Sequence, residues 1–104
     1  MKIVAVTACP TGIAHTYMAA EQLEKMAKKL GHTIKVETQG AMGVENKLSQ
    51  PEIDAADVAI LATDIAIEQP ERFEKIRKIQ IPVQAVLKNP EAVFAKIEQT
   101  ISCR

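Results

Sequence analysis

Two runs without a polar residue, Ile3-Val4-Ala5-Val6 and Val58-Ala59-Ile60-Leu61-Ala62, constrain this chain most. A strand that alternates apolar and polar residues buries one face; an unbroken apolar strand must be covered on both. Helices between the strands supply that cover, so strand and helix should alternate. After a turn at Cys9 to Gly12, residues Ala19, Leu23, Met26, Ala27 and Leu30 recur at three- and four-residue steps. This spacing predicts a helix from about His15 to Leu30, with Glu21, Gln22, Lys25, Lys28 and Lys29 on its outer side. Gly31 stops it. Thr33 to Thr38 alternates, Ile34 and Val36 against Lys35 and Glu37, and reads as an edge strand covered on one face.

A loop follows, Gln39 to Lys47. Ser49 with Glu52 matches a capping box and Pro51 suits a first helical turn, predicting a short helix near Pro51 to Ala56. Pro70 opens a further helix with Phe73, Ile76 and Ile79 inward. Ile81 to Leu87 reads as a strand, with Pro82 near an edge or a strand start. Asn89-Pro90 caps a last helix whose apolar stripe is Val93, Phe94, Ile97 and Ile101.

The expected fold is therefore α/β: one open four-stranded parallel sheet of order 2-1-3-4, with right-handed crossovers and helices on both faces, half of a doubly wound sheet. Its 104 residues are expected to form one domain. Ligands of such sheets bind beyond the carboxyl ends of the strands, where the strand order reverses. Cys9 follows the first strand and Thr63-Asp64 closes the third, so the fold points to Cys9 before any motif does.

Composition removes several classes of function. Lys plus Arg equals Asp plus Glu at 13 each, which argues against a nucleic-acid binder. Aromatic residues are 3%, with no Trp, too few for a base-stacking platform. No apolar run approaches the ~20 residues of a membrane span. The N-terminus enters a strand directly and lacks a signal-peptide pattern, so a cytoplasmic location is expected. Cys9 and Cys103 form no CxxC pair, and His15 and His32 stand at no metal-ligand spacing from them, so neither a metal nor a cofactor is expected. Cys103 reads as chemically idle and His32 as a surface residue.

The segment Cys9-Pro10-Thr11-Gly12-Ile13-Ala14-His15-Thr16 joins strand to helix. Backbone N–H groups of such a loop, with the helix dipole, make an anion site. The same field favours a cysteine thiolate, the nucleophilic form. A cysteine that attacks phosphorus and then holds the phosphoryl group satisfies both properties. Gly12 supplies conformational freedom, Thr11 and Thr16 could add hydroxyl donors, and the backbone of Ile13, Ala14 and His15 completes the candidate phosphate loop. Cys9 also admits a plain reading as a small buried strand end. His15 and Thr16 admit readings as residues that merely open the helix. Asp64 is an auxiliary candidate that orients the loop.

Cys-Pro-Thr-Gly-Ile-Ala-His-Thr-Tyr-Met-Ala-Ala-Glu, positions 9 to 21, resembles the motif of the fructose-type IIB components of the bacterial phosphoenolpyruvate-dependent sugar phosphotransferase system. Val36-Glu37-Thr38-Gln39-Gly40, Gly43-Val44-Glu45-Asn46 and Arg72-Phe73 resemble it too. The resemblance implies a cytosolic phosphocarrier. A IIA component carries phosphate on a histidine, Cys9 accepts it, and a sugar held by the membrane IIC component receives it. Fructose or a related hexose or hexitol is the implied sugar. IIA and IIC are expected as separate chains, or as other parts of a longer one. The alternative is a phosphatase similar to the low-molecular-weight tyrosine phosphatases, which carry Cys-x5-Arg-Ser/Thr. Here His15 takes the place of the arginine, and imidazole offers no permanent bidentate clamp. A third reading is a non-catalytic phosphate-sensing module.

Overall fold

The computed structural model describes residues 2–8, 13–40, 43–63, 67 and 70–102, without the side chains of 13–15, 40, 70 and 100–102. Strand β1 (Lys2–Ala8) lies at the centre and pairs in parallel with β2 (Thr33–Gly40) on one side and β4 (Val58–Thr63) on the other. Its residues alternate between two cores. Ile3 and Ala5 face one, Val4 and Val6 the other, and all four are buried. The same holds for Val58 and Ile60 against Ala59 and Leu61. Both apolar runs are thus the two-sided strands that the sequence predicts.

Helices α1 (Ile13–Lys29), α3 (Val83–Lys88) and α4 (Pro90–Ser102) build the larger core around Leu23, Phe94 and Ile97. Helix α2 (Gln50–Ala55) and a 3-10 turn, Pro70–Phe73, build the smaller one around Leu48, Ile53 and Phe73. The α1 stripe is buried at Ala19, Leu23 and Ala27, but Leu30 is 43% exposed. The helix has already ended at Lys29, so Leu30 falls outside the packed stripe. Gly31 takes φ 79°, which lets the His32 N–H reach Ala27 O (2.8 Å) and the Gly31 N–H reach Lys28 O (3.2 Å), the Schellman closure. His32 is not a free surface group: it stacks on Phe94 at 6.3 Å and lies 3.4 Å from Glu98.

The sheet departs from expectation in three places. It has five strands in the order β3-β2-β1-β4-β5 and is mixed, not four-stranded and parallel. The four parallel strands do stand in the expected order, but β3 (Gly43–Glu45) turns back antiparallel on β2, so β2 is not an edge. The segment expected as loop therefore closes a hairpin, with Gly40 opposite Gly43. The last strand, β5, is Lys78–Ile81 and not Ile81 to Leu87. Pro82 has no N–H for the ladder and instead precedes α3, where Val83 and Val86 are buried at helical spacing. The helix expected from Pro70 is only the 3-10 turn, because Ile79 belongs to β5.

The capping box at α2 forms as read from sequence. The Ser49 hydroxyl accepts from the Glu52 N–H (3.3 Å), and the Ser49 N–H donates to Glu52 Oε1 (3.0 Å). Lys35 pairs with the other carboxylate oxygen. The Lys35 ammonium, then the Ser49 N–H and hydroxyl, hold the Glu52 pKa down from 4.5 to about 2. A depressed folded-state pKa means the stabilisation is complete above pH 4.5 and disappears as pH falls toward 2. Glu52→Gln should therefore unfold at a lower temperature than the wild type at neutral pH, and the gap should close across that window. Thermal unfolding from pH 6 to about pH 2.5 checks this; a constant gap would exclude it.

Candidate functional site

At the carboxyl end of the sheet, Ala8 of β1 lies between Gln39 of β2 and Thr63 of β4, all three buried. The chain leaves Ala8 and re-enters regular structure at Ile13, the first residue of the 17-residue α1. Positions 9 to 12 therefore span from a central strand end to a helix N-terminus, where the order of β1 and β4 reverses. No acidic residue stands in the first turn of α1, and Lys28 and Lys29 stand in its last. The helix dipole is thus complemented at its C-terminus and left available to an anion at its N-terminus.

Of the sequence-predicted site residues, Cys9, Thr11, Gly12 and Asp64 lie outside the described residues. Ile13, Ala14 and His15 open α1 by backbone, and their side chains lie outside as well. Thr16 is buried against the sheet, and its carbonyl accepts the Thr7 hydroxyl at 3.1 Å. This bond crosses from β1 to α1 and pins the helix start over the strand end. On the outer side Tyr17 donates to the Glu45 carboxylate of β3. That bond, with the nearby negative charge, raises the phenol pKa above 10.0. Met18, beside Tyr17, is 51% exposed.

A second feature of this end was not legible in the sequence. Glu37, expected on the solvent side of an edge strand, is 0% exposed. Arg72 grips it with both arms, Nη1 to Oε1 at 2.8 Å and Nη2 to Oε2 at 3.0 Å. The Leu48 N–H (2.8 Å) and Gln39 Nε2 (2.6 Å) also donate to the carboxylate. Burial pushes the Glu37 pKa up, but the bonds from Arg72, Gln39 and Leu48 outweigh it and hold the carboxyl below its usual range. Arg72 also donates to Leu48 O (3.3 Å) and lies 5.1 Å over the Phe73 ring. The network ties β2, the segment after β3 and the 3-10 turn together beneath the strand ends. The motifs at 36–40 and 72–73 mark its members, but only the fold shows that they meet.

Among the described residues no cluster of three His, Cys, Asp or Glu could hold a metal ion. Among them, too, no helix is long and apolar enough to cross a membrane.

The fold and the cysteine at its first strand–helix turn define a small α/β protein with an anion-binding loop at the switch point of its sheet. Residues 4–96 match the family described as PTS system, Lactose/Cellobiose specific IIB subunit. The chain belongs to this PTS IIB family, and within it to the fructose-type components. It is 48% identical over 97 residues to the PTS system fructose-like EIIB component 2 of Escherichia coli, covering 93% of this chain and 92% of that one. It is 50% identical over 95 residues to the PTS system fructose-specific EIIABC component of Bacillus subtilis, covering 91% of this chain and 15% of that one. The chain spans 20% of the matched fructose-like EIIBC component and so corresponds to a small part of such multi-component relatives. A crystal structure of a predicted fructose-specific IIB from Escherichia coli superposes with a TM-score of 0.93 at 46% identity, covering 97% of this chain and 89% of that one.

Proposed function

We propose that the chain is a phosphoryl carrier with Cys9 as its acceptor. The cysteine thiolate attacks phosphorus of a phosphohistidine on a IIA component; the P–N bond breaks and the imidazole leaves. A hydroxyl of a sugar held by the membrane IIC component then attacks the same phosphorus. The S–P bond breaks, the thiolate is restored and the hydroxyl proton passes to solvent or base. The fructose-like relatives favour fructose or a related hexose or hexitol as the sugar. Relatives named EIIBC and EIIABC unite these components in one chain, which supports IIA and IIC as the partners. A cytoplasmic position at the inner face of the membrane follows from those partners.

The single observation that carries the reading is the position of residues 9–12, between the end of β1 and the N-terminus of α1. Anion binding and thiolate stabilisation both come from that field. The phosphatase alternative has no support from the relatives named above, and His15 stands where its arginine would be needed.

The test is to incubate the protein with phosphoenolpyruvate, the general phosphotransferase proteins and IIA, then map the modified residue. Label is expected on Cys9 alone. Label on a histidine, or none on Cys9, would overturn the assignment.

A further inference from the structure

Thr7 of β1 and Thr38 of β2 are register partners, one step before the strand ends. They follow Ala5 and Val36 at two-residue spacing and so lie on the face covered by α1. Both are buried, Thr38 to 4% exposure. Thr7 uses its hydroxyl proton on the Thr16 carbonyl. Thr38 Oγ1 has no partner, and among the described residues it is the one buried side-chain nitrogen or oxygen in that condition.

A buried hydroxyl without a partner destabilises a protein relative to an apolar group of the same shape. Valine has that shape and suits a strand at least as well. The position of Thr38 suggests what would use its proton. Adjacent strands run ~4.8 Å apart, so Thr38 is a neighbour of Thr7. Cys9 follows Thr7 by two residues, a chain reach of ~7 Å at most. Thr16, buried at the start of α1, bounds the same corner. The unpartnered donor therefore lies beneath the segment that the proposed function loads with phosphate.

The peptide group is planar, with N–H and C=O pointing in opposite directions. Turning a loop N–H outward to a phosphoryl oxygen turns a C=O of the same loop inward. An inward carbonyl beneath the loop needs a donor, and no water competes at a site so closed. We propose that Thr38 is a positioning residue for the phosphorylated state: its hydroxyl donates to the Cys9–Gly12 segment when that segment turns its amides to the phosphoryl group. This rests on the assignment of Cys9 as acceptor. The hydroxyl then costs stability in the unloaded protein and returns it in the loaded one, shifting the transfer equilibrium toward the chain.

The experiment compares wild type, Thr38→Val and Thr38→Ser in two measurements. One is thermal unfolding of the unphosphorylated protein. The other is the equilibrium between phosphorylated IIA and the chain, reached from phosphoenolpyruvate through the general phosphotransferase proteins. Thr38→Val should unfold at the same or a higher temperature, yet hold roughly fivefold less phosphate at equilibrium, the size of one net hydrogen bond. Thr38→Ser should restore the equilibrium. A valine variant that loads like wild type would overturn the proposal and leave the Cys9 assignment standing. A valine variant with a lowered unfolding temperature would overturn it as well, because the hydroxyl would then be bonded in the unloaded protein. A wild-type chain that takes no label on Cys9 would overturn the functional assignment, and this proposal with it.

Discussion

Cys9→Ser should reduce both phosphoryl acceptance from IIA and onward phosphorylation of the sugar to background, with unfolding behaviour unchanged. A cysteine thiol ordinarily ionises near pH ~8.5, and a helix N-terminus lowers that value toward neutrality. A serine hydroxyl stays protonated in the same field and needs a general base to attack. The defect extends to the second half-reaction. A thiolate is a good leaving group from phosphorus, whereas a serine phosphate would have to expel an alkoxide. Both transfers therefore fail, and restoring one does not restore the other. Radiolabel transfer and sugar phosphate formation measure the two steps separately. Label retained in Cys9→Ser, or sugar phosphate formed by it, would remove Cys9 from the mechanism. Cys103→Ser should retain both activities.

Arg72→Met should destabilise the protein by about 3–5 kcal/mol, the typical cost of leaving a buried charge without its partner. The Glu37 side chain is fully buried and that of Arg72 is 9% exposed, so solvent cannot replace the guanidinium. The loss is large against the ~5–15 kcal/mol stability of typical domains. The stability should also depend on pH with an inverted sign. With Arg72 present, the Glu37 pKa lies below its ordinary value, and its contribution is lost as pH falls. Without Arg72, burial raises the folded-state pKa, so protonation relieves the variant and its deficit shrinks as the solution is acidified. Adding Glu37→Gln to Arg72→Met removes the orphaned charge and keeps an acceptor for the Leu48 N–H. The double variant should therefore be more stable than Arg72→Met alone. Urea unfolding at neutral and mildly acid pH measures all three effects. A single-variant loss below about 1 kcal/mol, the value of an exposed pair, would show that the bridge is solvated.

What could be read along the chain was whatever depends on neighbours within about one helical turn. The spacing of Ala19, Leu23 and Ala27 made one face of α1 apolar wherever it packed. Ser49 and Glu52 satisfy each other across three residues, and Gly31 ends a helix through its own φ. The two unbroken apolar runs required cover on both faces, which made β1 and β4 central and put Cys9 at the switch point. The order of the four parallel strands followed from the same constraint.

Tertiary structure decided the features whose partners are distant. Pro82 blocks a ladder, but the sequence alone did not say that Ile79 and Ile81 would form β5 before it and Val83 and Val86 a helix after it. The alternation of Lys35 and Glu37 looked like a solvated strand face. Only the return of β3 onto β2 and the folding of Leu48 and the 3-10 turn over the sheet bury Glu37. Its cation lies 35 residues away, at Arg72. A buried carboxylate must have a cation, and the chain offers 13 lysines and arginines. Local propensity has no means of choosing among them, because the choice is made by which one the packed sheet brings within hydrogen-bond distance.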